Sequence, residues 1–422
     1  MTAADDHQRA LAAVRARLDL VVDGDPAAVA AWCRALADAV EPLGGGELAA
    51  LARAAGAPGD EAALVAMCRR LVAEGSPAAA AALLGGAHRR RPDDPAIVLA
   101  QVEALGATGR HDEACRVLRT VNPWVVPELD RGAALAWHAA LDGDLGEAAR
   151  WLPRLAASPA HQARADELAG MVARADAVRA VTALDRRDLR GWHVVITGGI
   201  LLCASRHGRD VMNGRYGFVH DSYADCHAGL ARALAVLEAW GRAVPRVLAP
   251  AERSSAALAL AAATIAGRRV EPWDVRDPGA GLIVVHDLAD LEPAQQRALA
   301  QHHPGQVLLV HAMSWTDAPA VAPDLVTRLH QHARAPWDAH QALDPETGAL
   351  RDAPADPASI AALAARIVGA APATAVDDLP ELRALAVAAA AVTGDHGPGG
   401  LRDHGPRRRA VLDSPVPSAR FT

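Results

Sequence analysis

Up to Arg190 the apolar positions recur at the 3.6-residue spacing of helices. Beyond Arg190 the period changes to short apolar runs separated by helical stretches. The runs predict strands at His193–Thr197, Ile200–Ala204, Arg246–Ala249, Arg269–Trp273, Leu282–His286 and Val307–His311. Helices are predicted at Tyr223–Trp240, Arg253–Ala266, Pro293–His302 and Asp324–Ala333. Continuous runs such as Leu-Ile-Val-Val (282–285) and Val-Leu-Leu-Val (307–310) suit strands buried on both faces. Strands alternating with helices predict a three-layer, Rossmann-like α/β domain with a mostly parallel sheet over residues 190–345. Residues 346–422 read as a Pro/Ala/Gly-rich tail, flexible by default, with short helices at Ser359–Val368 and Pro380–Val392.

The helical half repeats. Gly75, Gly109 and Gly143 lie 34 residues apart, and Ala80, Ala114 and Ala148 follow at the same interval. Leu84, Leu118 or Leu152 comes four residues after each alanine, and Pro92, Pro127 or Pro159 closes each unit. Leu71 and Leu105 precede their glycines by four residues, with Ala139 in the third place. Glycine ends the first helix of a pair, alanine lets the second approach it, leucine fills the seam, and proline stops the second helix. This order at this spacing resembles the tetratricopeptide repeat over residues 61–160, although the large aromatic positions of that family are Leu, Val or Gly here. A degenerate fourth unit is expected ahead of it, with Gly46 and Pro58 in register, within a helical region at 1–60. Residues 160–188 are expected to form a capping helix that closes a 61–189 segment. The resemblance implies a concave helical surface that binds a peptide or partner protein.

Composition narrows the chemistry. Hydrophobic residues make up 51% of the 422, aromatics only 3%, and nine of the thirteen aromatics are Trp. The core must therefore be built of Ala, Leu and Val, which lets helices approach closely, with Trp as the occasional large plug. All 43 basic residues are arginine, so a Walker-type lysine, a Schiff-base lysine and a pyridoxal-phosphate anchor are excluded. The abundance of Ala, Gly, Pro and Arg follows GC-rich codons and needs no functional reason. With 50 acidic against 43 basic residues and a net charge of −7, no nucleic-acid partner is expected. Met1–Ala10 carries Asp5 and Asp6 and lacks an apolar core, so a signal peptide is not expected. The longest apolar run, Ala256–Ala266, is short of the ~20 residues of a membrane span. Five cysteines without a CxxC pair fit reduced thiols and a cytoplasmic location.

Parallel sheets bind ligands outside the carboxyl ends of their strands. That rule nominates His286 and Asp287 after one run, His311 after another, and Arg253, Ser254 and Ser255 at the start of a helix that follows a strand. His286 is expected as acid/base, Asp287 as its orienting partner, and Arg215 and Arg253 as holders of an anionic small molecule. Both tyrosines, one of two phenylalanines and one of two asparagines fall within 212–227. Turns at Asn213-Gly214 and Tyr216-Gly217 place Arg215, Tyr216 and His220 on a loop, as a ligand clamp or as a hydrophobic hinge. Thr197-Gly198-Gly199 lacks the further glycines of a dinucleotide fingerprint, and no cofactor is named by any motif. No metal site is read: His220, Asp221, Cys226 and His227 offer donors, with His286, Asp287 and His311 far away in sequence, but no CxxC, HxxxH or HExxH pair anchors them. His330 and His332 flank Gln331 on the last predicted helix and are expected to point apart. Two functions follow: a protein-interaction array fused to a small-ligand-binding domain, or an enzyme of group transfer or hydrolysis whose array positions a protein or peptide substrate.

Overall fold

The computed structural model describes residues 25–417 apart from 58, 206–211, 277–278, 318, 320, 344–349, 371–377 and 393–404. The chain divides into two compact units, Met1–Leu168 and Ala169–Thr422.

Among the described residues of the first unit eight α-helices follow one another: α1 (Pro26–Val40), α2 (Gly46–Ala55), α3 (Glu61–Ala73), α4 (Pro77–Arg90), α5 (Pro95–Ala107), α6 (His111–Thr120), α7 (Glu128–Asp142) and α8 (Leu145–Ala156). Each packs on the next, and α3 also touches α5, the first helix of the following pair. Gly75, Gly109 and Gly143 adopt φ of +76°, +72° and +99° at the turns inside three of the pairs. Ala80, Ala114 and Ala148 are fully buried, as are Leu84 and Leu118, while Leu152 is half-buried. Cys33 and Met67, 34 residues apart on α1 and α3, meet with Sγ 3.9 Å from Sδ. Tryptophan fills space that glycine leaves: a Cβ at Gly132 on α7 would lie 2.3 Å from the Trp151 ring on α8.

The turn at Gly75 has open space around its Cα. Gly75→Ala therefore tests backbone conformation alone, and its left-handed φ predicts a loss of about 1–2 kcal/mol in urea denaturation. An unchanged midpoint would contradict the turn's role.

A further helix, α9 (Gln162–Arg179), leads into the second unit. There α10 (Leu189–Thr197) precedes a seven-stranded sheet of β1 (Ile200–Leu201), β2 (Tyr216–His220), β3 (Arg246–Ala249), β4 (Arg269–Pro272), β5 (Gly281–Asp287), β7 (Gln306–Ser314) and β8 (Leu325–Arg334). A two-residue strand, β6 (Gln301–His302), lies outside it. The order is β1-β8-β7-β5-β3-β4, and every pair is parallel. β1 and β2 share one lane, pairing in turn with Leu325–Val326 and His330–Arg334 of β8. Helix α11 (Tyr223–Ala239) packs on β7 and β8, and α12 (Arg253–Ala266) on β3, β4 and β5. The two helices touch each other and so cover one face. A short helix, α13 (Pro293–Leu299), follows β5. β9 (His340–Leu343) and β10 (Leu350–Ala353) form a hairpin. Outside them α14 (Ile360–Gly369) packs on both covering helices and α15 (Leu379–Ala391) on α11.

Three expectations are corrected. His193–Thr197 lies in α10, capped by Asp188, which accepts the Gly191 N–H at 2.7 Å, and ended by Gly198 at φ +79°. Its apolar residues are buried on all sides, which erases the helical period that separates helix from strand. Leu325–Arg334 is a strand, not a helix, so residues two apart along it, His330 and His332 among them, share a face. Tyr216–His220 is also a strand, laid against the end of β8 rather than looped out.

The described part of the tail is built into the unit. β11 (Gly405–Pro406) pairs with β6, and the Arg407 N–H donates to the Ala300 carbonyl at 2.8 Å. Arg407 is nearly sealed and bonds Asp324 at 2.7 Å.

Candidate functional site

At the carboxyl ends of β2, β5, β7 and β8 lies a cavity of about 770 Å³. Phe218, Leu288, Leu299, Met313 and Val321 supply much of its apolar wall, and Asp287, Ser314, Asp317, His330, His332 and Arg334 are its ionisable and hydroxyl groups. A largely apolar hollow of this size with a few converging polar groups is the usual form of a small-molecule site. Phe218, one of two phenylalanines in the chain, stands 70% exposed beside it.

Cross-strand register assembles the polar floor. Ser314 lies opposite His330, and Asp287 opposite Ala312. His330 Nε2 comes 3.3 Å from Asp287 Oδ2, with the imidazole almost fully buried. Asp287 Oδ1 accepts the Ala289 N–H at 2.9 Å, which fixes the carboxylate at the turn after β5. Burial pushes the Asp287 carboxyl up, but His330, the Ala289 N–H and His286 outweigh it and hold it below the usual range. Ser314 Oγ accepts the N–H groups of Thr316 and Asp317, so its hydroxyl shapes the loop after β7.

His286 and His311 are neighbours, with ring centroids 5.8 Å apart. They occupy the face covered by α11 and α12, since neighbouring residues of a strand point to opposite faces and Asp287 takes the cavity side. Asp287 therefore stands against His330 on the cavity side, and not against His286. His311 Nε2 lies 2.6 Å from Asp221 Oδ2, and Arg328 holds Asp221 Oδ1 at 3.0 Å. Burial raises the Asp221 carboxyl, yet His311 and Arg328 outweigh that and keep it ionised. Burial lowers His311 despite Asp221, so its imidazole is neutral and its Nε2–H donates to the carboxylate. Burial also acts to lower His286, but Asp290, Asp221 and Asp287 prevail and raise it above the ordinary value.

The other nominated residues have structural partners. The Arg253 guanidinium donates to the Asp356 and Ala358 carbonyls at 2.6 and 2.9 Å. Ser254 Oγ accepts the Trp337 indole N–H, and Ser255 Oγ the His286 backbone N–H, each at 2.9 Å. Glu252 accepts the Ser254 and Ser255 N–H groups at 2.6 and 2.7 Å, so the chain's own carboxylate occupies the helix N-terminus. Arg215 donates to Ser414 Oγ at 3.0 Å and lies over the Trp315 ring. The Tyr216 carbonyl accepts the Trp315 indole N–H at 2.8 Å, and the His220 ring lies tilted against His340 with centroids 4.0 Å apart. None of these six lines the cavity.

His330, His332, Ser314, Asp317, Arg334 and Phe218 were not nominated from sequence. On a strand His330 and His332 share one face, and both reach the cavity. The alternation Arg328, His330, His332 was the signal available for this.

Among the described residues no helix is long and apolar enough to cross a membrane, and all five cysteines are unpaired. No curated protein and no solved structure matches the chain. A family model described as tetratricopeptide repeat matches residues 71–137, from the end of α3 into α7. With the helical pairs that surround that segment, the N-terminal half of the chain is a tetratricopeptide-like array.

Proposed function

We propose that this protein couples a polypeptide-recruiting helical array to an α/β unit that binds a small organic ligand at the carboxyl edge of its sheet. The array supports a protein-interaction role. The observation that carries the ligand site is the 770 Å³ cavity with the Asp287–His330 pair in its floor. An ionised Asp287 accepts hydrogen bonds, so the ligand presents a hydroxyl or amino donor there and an apolar body toward Phe218, Met313 and Leu299. Arg334 is the cavity's guanidinium, and an anionic substituent on the ligand goes to it.

A thermal-shift screen of the full chain against nucleosides, sugar phosphates and amino-acid derivatives tests this. A ligand at a hundredfold its dissociation constant raises stability by about 2.7 kcal/mol. Asp287→Asn is expected to weaken a hit by at least tenfold, since it removes the charged acceptor. A hit that binds Asp287→Asn and His330→Gln as well as the parent would refute the site.

The same pair favours a second reading, hydrolysis or group transfer with His330 as general base and Asp287 fixing its tautomer. Turnover of a hit, lost in His330→Gln while binding persists, would select that reading over simple binding.

A further inference from the structure

Behind the cavity, on the face covered by α11 and α12, four side chains from four elements converge. Asp221 precedes Ser222, the N-cap of α11, Cys226 lies in that helix's first turn, His311 is on β7 and His286 on β5. We propose that Asp221, Cys226 and His311 form a closed binding site for a zinc-type divalent cation, with the His286 ring, stacked beside His311, moving in as fourth donor.

The donor atoms are already gathered. Cys226 Sγ lies 3.8 Å from Asp221 Oδ2 and 3.9 Å from His311 Nε2, and that nitrogen lies 2.6 Å from the same oxygen. Tetrahedral zinc with arms of about 2.0–2.3 Å sets its ligand atoms roughly 3.3–3.6 Å apart. The sulfur thus moves in by a few tenths of an ångström, and the ion replaces the short Asp–His hydrogen bond. Asp221, Cys226 and His311 are all buried, as a structural zinc site requires.

An independent observation points to a ligand. His286 is only 4% exposed, yet neither ring nitrogen has a hydrogen-bond partner in the structure, and its ring stacks beside His311. An imidazole sealed from water with both nitrogens unused is costly unless something binds it. Its nearest charged neighbour, Asp290, stays 3.7 Å away.

Charge and protons balance. Binding releases the Cys226 thiol proton and any proton on His286 to solvent, and His311 moves its proton from Nε2 to Nδ1. Thiolate and carboxylate then neutralise the divalent ion between two neutral imidazoles. Arg328 stays on Asp221 Oδ1 at 3.0 Å as the outer donor that orients a ligating carboxylate. Asp225, 3.9 Å from Arg328, offsets the guanidinium charge.

The test is a cobalt(II) titration of the full chain, prepared without an affinity tag and stripped with chelator. One equivalent is expected to bind with tetrahedral d–d bands and a thiolate charge-transfer band, both displaced by zinc. Cys226→Ser, checked for folding by circular dichroism, is expected to abolish the charge-transfer band, while His220→Ala leaves it intact. Absence of stoichiometric binding, an octahedral spectrum without sulfur character, or a band that survives in Cys226→Ser would overturn the proposal. If Cys226→Ser does not fold, X-ray absorption of the zinc-loaded parent decides. One sulfur beside nitrogen and oxygen ligands supports the site, and a shell without sulfur overturns it.

Discussion

Arg407→Met is expected to destabilise the α/β unit by roughly 3–5 kcal/mol, because it strands a buried carboxylate. Asp324 Oδ2 accepts from Arg407 at 2.7 Å and from the Leu308 N–H at 2.7 Å, with His302 3.7 Å away. Burial raises this carboxyl, but Arg407 first and His302 next outweigh it and hold it well below the usual range. A depressed carboxylate stabilises the fold above the unfolded pKa, about 3.9, and that contribution is lost as pH falls through the folded value. Without Arg407 the sign reverses, since an unpaired buried carboxylate titrates higher when folded than unfolded. The gap between parent and variant should therefore be widest near neutral pH and shrink on acidification toward about pH 4. Arg407→Met with Asp324→Asn should recover much of the loss. A variant that melts like its parent at neutral pH would mean that the C-terminal strap does not stabilise the sheet.

In the helical array the largest expected effect is at the seam leucine. Leu118→Ala removes a fully buried side chain and should cost about 2–5 kcal/mol. Leu152 occupies the same place in the next repeat but is only half-buried. Its replacement by alanine should cost roughly half as much, since the loss scales with the apolar area withdrawn from water. Urea midpoints followed by circular dichroism separate the two. Equal losses would show that the cost at this position does not follow the apolar area buried, and no loss at Leu118 would mean that the seam does not stabilise the array.

Features that depend on local spacing could be read directly from the chain. The repeat glycines, alanines and leucines do their work within a few residues of one another, so their offsets survive in the sequence. β3 and α12 carry the residue ranges their patterns predict, because turn signals and N-cap chemistry bound them on both sides. Where an element is buried all round, its period disappears, and α10 reads as a strand. β8 carries five polar residues between apolar ones, Thr327, Arg328, His330, Gln331 and His332, and reads as a helix. That error hid the shared face of His330 and His332, and with it the floor of the cavity.

The pairing of Asp287 with His330 is a property of register between strands, which no spacing along one strand records. The same holds for Asp221, Cys226 and His311: two are five residues apart, but the third arrives from β7. The start of α12 holds another such feature. Glutamate is an uncommon N-cap, yet Glu252 reaches both Ser254 and Ser255 N–H groups and fills the helix terminus.

The central claim is that the carboxyl-edge cavity takes a small ligand. Crystals of the full chain soaked with a panel of small polar-aromatic fragments test it most directly. Fragments should lodge against Asp287 and His330 with their apolar parts toward Phe218 and Met313. Fragments that bind only elsewhere, with this cavity empty across the whole panel, would contradict the account.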